Sequence, residues 1–135
     1  MPTYTIETTY RVPNYRQRTH SADTVEEACR RAVEDDDWSQ EAIDYAAAGE
    51  TYVTAIWQGA NAAYSGPAVG IPEAFLETVH RKAALFEGLV AVLREPAQPM
   101  GISEYEFKSW LPRAMAILEK ADAIGRDAAA ALSVP

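Results

Sequence analysis

Residues 71–95 read IPEAFLETVHRKAALFEGLVAVLRE, and no other stretch restricts the fold as much. Placed on a helix, Phe75, Leu76, Val79, Ala83, Phe86, Leu89, Val90 and Leu93 recur at spacings of three and four and form one apolar stripe. Pro72 suits the first helical turn, where its missing N–H would have no partner anyway. Leu85 and Val92 sit seven apart on a flank outside that stripe. A helix apolar on more than one side needs more than one neighbour. A sheet, the C-terminal helix and a second copy of the chain are the candidates, and Leu85, Leu89 and Val92 mark the expected self-association surface.

Residues 3–12 alternate as a strand does, with Tyr4, Ile6, Thr8, Tyr10 and Val12 on one face and Thr5, Glu7, Thr9 and Arg11 on the other. Pro13-Asn14 fits a tight turn, and Tyr15, Gln17 and Thr19 then alternate with Arg16, Arg18 and His20, which predicts a β-hairpin with a polar edge strand. Thr24 and Glu27 have the form of a capping box. Val25, Ala28, Cys29, Ala32 and Val33 give the helix that follows its apolar side, and three aspartates from Asp35 oppose its continuation. Trp38 is expected to fold back onto the core. Residues 41–48 read as another short helical turn ended by Gly49. Residues 51–58 (TYVTAIWQ) are β-branched and aromatic with large side chains on both faces, so they predict a central strand.

Pro96, Pro99 and Gly101 predict a turn after the long helix, and Ser103 with Glu106 a second capping box. The last helix carries Phe107, Leu111, Ala114, Met115, Leu118 and Ala121 as its stripe, flanked by Trp110, Ile117 and Ile124. Pro112 predicts a restart at Ser109 or a kink, and the alanine-rich residues 127–135 are expected to fray. The fold expected is α+β in the order ββαβαα. It is read as one domain over residues 1–135, with the sheet and first helix in 1–58, a loop in 59–70 and an antiparallel helix hairpin in 71–131.

The net charge of −8 is concentrated. Between Asp23 and Glu50 ten carboxylates face only Arg30 and Arg31, which accounts for all of it. Such a field repels DNA and RNA, so direct nucleic-acid binding is not expected. Residues 10–20 (YRVPNYRQRTH) are locally basic and interleaved with tyrosines, a composition used on single-stranded nucleic acid. Pairing with the acidic helix, within one molecule or between two, is the reading set ahead of it.

Glu34, Asp35, Asp36, Asp37 and Trp38 admit three readings: a solvated face, a surface for a basic protein partner, and a metal site. Consecutive aspartates diverge rather than converge and no calcium-loop spacing is present, so neither metal nor cofactor is expected. His80 lies at the polar border of the long helix. With only His20 besides, no histidine-based metal motif is possible, and no nucleophile stands in a recognisable frame. The loop 59–70 (GANAAYSGPAVG) lacks any phosphate-binding pattern. It reads either as cover or as the roof of a pocket using Trp57, Tyr64 and His80. Cys29 reads as a buried, reduced thiol. Together with the lack of a charged and apolar leader in MPTYTIETTYRV and of any apolar run of membrane-spanning length, it points to the cytoplasm.

The segments RRAVEDDDW (30–38) and YVTAIWQGANAAY (52–64) resemble small accessory proteins of proteobacterial plasmids and integrative elements, a group with no known activity. The likeness covers roughly residues 10–95. It implies a bacterial, mobile-element context and carries over no active-site residue. The function expected is a non-catalytic interaction protein that forms a homodimer and offers an acidic patch to a basic partner. One variant is an acidic mimic that inhibits a nucleic-acid-binding protein, and the competing class is a small enzyme or ligand binder with its pocket under the loop.

Overall fold

β-branched and aromatic residues alternate at Tyr4–Thr9 (β1) and Tyr52–Gln58 (β4), and these two stretches pair antiparallel, with Tyr4 opposite Gln58 and Thr9 opposite Tyr52. In the computed structural model, which describes residues 1–132, they form one two-stranded sheet. Between them in sequence come β2 (Asn14–Tyr15), α1 (Val25–Glu34) and β3 (Ala42–Ile43). After them come α2 (Thr78–Arg94) and α3 (Glu104–Leu132). The class is α+β and the principal elements run ββαβαα, with the two-residue β3 inserted. Contacts divide the chain into two compact units, one of residues 1–9 with 52 onward and one of Tyr10–Thr51.

The strands expected to form a hairpin do not pair with each other. β1 takes β4, and β2 takes β3, with Asn14 opposite Ile43. β4 offers β1 a partner of full length, whereas the Pro13-Asn14 turn is itself tied to β3: Asp44 N–H donates to Pro13 O at 3.0 Å. Residues 41–48 supply β3 and a single 3₁₀ turn at Tyr45–Ala47, capped by the Asp44 side chain, in place of a helical turn.

β4 is bordered on both sides, as its two large faces predict. Opposite β1, the loop after Gln58 returns along it, with Gln58 N–H donating to Pro67 O at 2.8 Å and Val69 N–H to Ile56 O at 2.9 Å. The loop also covers the polar face of β1. Thr5 Oγ1 donates to Gly59 O at 2.8 Å and accepts the Ala62 N–H at 3.0 Å, and Ala62 is buried. Period-two alternation defines two faces but not which is covered, and here loop backbone needs hydrogen-bonding side chains, so the polar one is chosen. Gly66 is required at its place, because a Cβ there would run into Gln58 O and the Ala62 methyl.

α1 begins and ends where its sequence dictates: Thr24 Oγ1 accepts the Glu27 N–H at 3.2 Å, and Asp35 leaves the helix in extended conformation. Glu27 does not complete the capping box, since its carboxylate pairs with Arg30 and Arg31. No α1 residue is buried. Val25 and Val33 are exposed, and so is Cys29, contrary to the buried thiol expected. The helix is held at its C-terminal end rather than along its face, and of its apolar residues only the small Ala28 and Ala32 are half-covered.

α2 starts at Thr78, later than the periodicity implies, because residues 73–75 make a separate 3₁₀ turn and Leu76 is extended. Pro72 fits either beginning, so spacing alone cannot separate the two. α3 runs unbroken through Pro112 as far as Leu132, neither restarting at Ser109 nor ending at Asp127; residues 133–135 lie outside the described residues. An interior proline costs about 3 kcal/mol. Burial of Val92 on α2 and Ile124 on α3, worth about 1.5–3 kcal/mol each, is enough to offset it. Ser103 and Glu106 form the expected box: Ser103 Oγ accepts the Glu106 N–H at 3.1 Å and donates to Glu106 Oε1 at 2.9 Å.

The two helices pack as the antiparallel pair expected, and their seam takes the flank together with Ala114 of the stripe. Val92 of α2 and Ala114 and Ile124 of α3 are buried, with Leu85, Gly88, Trp110 and Ile117 half-buried. Trp110 Nε1 donates to Val92 O at 2.7 Å, and a Cβ on Gly88 would lie 3.2 Å from Ile117 Cδ1. Arg113 grips Glu95 with two bonds of 2.7 and 2.8 Å at one end, and Arg81 pairs with Asp127 at 2.9 Å toward the other.

Candidate functional site

The acidic residues singled out in sequence gather round two arginines of the same unit. The last carbonyls of a helix lack intrahelical donors, and here the Arg16 guanidinium supplies them. Nη2 donates to Ala32 O at 2.9 Å and to Asp35 O, while Nη1 donates to Asp37 O. Its flat face lies 3.9 Å from the Trp38 ring, a cation–π contact that keeps Trp38 at the surface, 45% exposed, instead of in the core. Arg18 pairs with Asp37 at 2.8 Å and Asp35 at 3.3 Å, and His20 stands 3.9 Å from Asp35. Basic residues 16–20 are thus spent on the acidic end of α1 within one molecule.

Asp37 is held at about 2, below its ordinary 3.8, first because Ser39 Oγ donates to its carboxylate at 2.6 Å, then through the Ser39 N–H and Arg18. Of the five residues expected to bind a partner, Asp35, Asp37 and Trp38 are engaged in this way, and Glu34 and Asp36 are exposed. Among the described residues no group of three or more His, Cys, Asp or Glu side chains converges on a point that could hold a metal ion.

The three pocket residues do not come together. Tyr64 lies against Trp57, with ring centroids 5.0 Å apart, and its hydroxyl donates to Glu7 Oε2 at 3.0 Å, which raises its pKa above the usual 10.0. Thr54, opposite the irregularity between Glu7 and Thr8, donates to the other oxygen of the same carboxylate. Tyr64 adopts φ 62°, an uncommon left-handed backbone for an aromatic residue, and is held there by these contacts. His80 instead lines a groove of about 310 Å³ with Leu76, Arg81, Leu85 and Lys120, whose walls include neither Trp57 nor Tyr64.

The expected self-association residues also face elsewhere. Val92 is buried against α3, where its carbonyl accepts from Trp110, and Leu85 and Leu89 are half-buried. What the hairpin leaves open is the stripe: Val79, Phe86 and Leu93 on α2, and Phe107, Leu111, Met115 and Leu118 on α3, with Phe86 59% and Met115 58% exposed. Stepping about 100° per residue from the seam places both sets on the same flank of the antiparallel pair. The signal for this surface was present in sequence as two apolar sides on each helix; which side each neighbour takes was not.

Among the described residues no helix is long and apolar enough to cross a membrane. No family model, no curated protein and no solved structure matches the chain.

Proposed function

We propose that this protein is a non-catalytic interaction module that works as a homodimer, the open flank of one α2–α3 hairpin packing on that of a second copy. The observation that carries the reading is the pair of unpartnered apolar stripes on one side of the hairpin. Two separately folded units of these lengths leave roughly 8,300 Å² accessible, and this chain leaves 10707 Å². The surplus, on the order of 2,400 Å², is the scale one protomer covers in an obligate dimer. A place among mobile-element accessory proteins belongs to the same proposal and rests on the two segments quoted above.

A basic protein partner fits the exposed Glu34 and Asp36. The narrower reading, mimicry of a nucleic-acid backbone, has less support because Asp35 and Asp37 are paired with Arg16 and Arg18. A pocket built on Trp57, Tyr64 and His80 has less still, since His80 belongs to a different groove.

Light scattering tests the dimer. The wild type is expected at no less than twice 14.8 kDa, and Phe86→Asp with Met115→Asp should halve the particle mass with helix content unchanged. A wild type at 14.8 kDa at its highest soluble concentration, or a double variant of unaltered mass, ends this reading.

A further inference from the structure

We propose that the open edge of β1 pairs with the same edge of a second copy, joining two two-stranded sheets into one four-stranded antiparallel sheet about a two-fold axis at Ile6. This surface is separate from the helix hairpin and does not depend on it.

The sheet has one covered edge and one bare one. Ile56 and Gln58 direct their backbone groups away from β1, to Val69 and Pro67. The groups of β4 facing β1 therefore belong to Ala55 and Trp57, opposite Glu7 and Thr5. Antiparallel alternation then turns the N–H and C=O of Tyr4, Ile6 and Thr8 to the other side of β1. There no strand pairs with them among the described residues. The irregularity between Glu7 and Thr8 adds its extra residue, Thr54, to β4, so β1 itself stays regular.

Natural edge strands are blunted by lysine, proline, bulges or inward-pointing charges left in place to discourage pairing. Tyr4–Thr9 contains no lysine and no proline. Its one charge, Glu7, is turned to the covered face and bonded by Thr54 and Tyr64. The open edge carries Tyr4 and Ile6, 50% and 53% exposed. No charge on it selects an acidic or basic peptide, and it is complementary to itself. With Ile6 on the axis, Ile6 meets its own counterpart and Tyr4 meets Thr8, and all three outward N–H and C=O pairs are satisfied. A register centred on Glu7 sets two carboxylates opposite each other, which is unfavourable. Together with the hairpin flank this makes two isologous surfaces: the flank forms the homodimer, and the β1 edge would join one such homodimer to the next.

Cysteine scanning reads the register directly. In a Cys29→Ser background, which alters only an exposed side chain, Ile6→Cys should give a covalently linked dimer with a short bis-thiol cross-linker. Hydrogen-bonded antiparallel pairs hold their Cα atoms about 5.5 Å apart, with the Cβ atoms too far apart for an unstrained disulfide but within the span of such a reagent. Tyr4→Cys and Thr8→Cys should each stay unlinked alone and link when combined in one chain. The Ile6 cross-link should persist with Phe86→Asp and Met115→Asp present, so loss of the hairpin interface and loss of this one are told apart. Ile6→Pro removes an outward N–H that β1–β4 pairing does not use, and should weaken association at least tenfold. The proposal is overturned if Ile6→Cys with a wild-type circular dichroism spectrum stays unlinked, as it would where a foreign strand takes the edge. It is equally overturned if Tyr4→Cys alone links as readily.

Discussion

The acid–base unit and the helix hairpin solve opposite problems. In the unit of Tyr10–Thr51 the charges that dominate the sequence are answered from inside: Arg16 caps α1 and Arg18 pairs with Asp35 and Asp37. In the hairpin the seam buries Val92, Ala114 and Ile124, yet an apolar flank stays exposed among the described residues. Conspicuous residues are therefore a poor guide to where a partner binds. The surface to test is the one whose requirements remain unmet.

The largest effect that could break this contrast lies at Arg16, whose side chain is only 9% exposed. Arg16→Ala strips the end of α1 of its donors and leaves acidic groups unanswered, so it should destabilise that unit by about 3 kcal/mol. Urea unfolding followed by α1 amide exchange measures it, and a loss under about 1 kcal/mol would return the acidic cluster to the status of a free surface. A smaller effect sharpens the other side. Trp110→Phe keeps the ring but loses the bond to Val92 O, and should cost about 1 kcal/mol of hairpin stability while leaving the particle mass unchanged.

The smallest is a pH effect. Asp37 has its folded pKa depressed to about 2 from 3.8, so the stability it contributes is present above about 3.8 and is lost as pH falls through about 2. Ser39→Ala removes the strongest cause and should move the Asp37 carboxyl resonance to titrate at higher pH in NMR. An unshifted titration would show that the Ser39 N–H and Arg18 suffice to hold the group ionised.

Much of this fold was legible because local chemistry decides it. Thr24 and Ser103 announce helix starts by offering an oxygen to an orphan N–H, and Asp35 ends α1 by its charge. Strand partners were not legible, since the choice between β2 and β4 for β1 rests on contacts more than forty residues apart. Sidedness was not legible either. The stripe with most apolar residues looks like the core, but the seam needs small side chains at Gly88 and Ala114, and the larger residues of the stripe, Phe86, Leu93, Met115 and Leu118 among them, are left outside. The sequence groups His80 with Trp57 and Tyr64 as the lining of a pocket under the loop 59–70, but His80 lines a different groove.

Tyr4–Thr9 finds Tyr52–Gln58 only after the entire Tyr10–Thr51 segment has been made. On a chain synthesised in one direction, that segment can close its own ion pairs and turns first. Meanwhile the earlier strand waits with both edges bare. The ribosome-bound chain thus passes through an interval in which its most adhesive piece is already outside and its proper mate does not yet exist, and polysomes bring neighbouring copies of that piece close together at that moment.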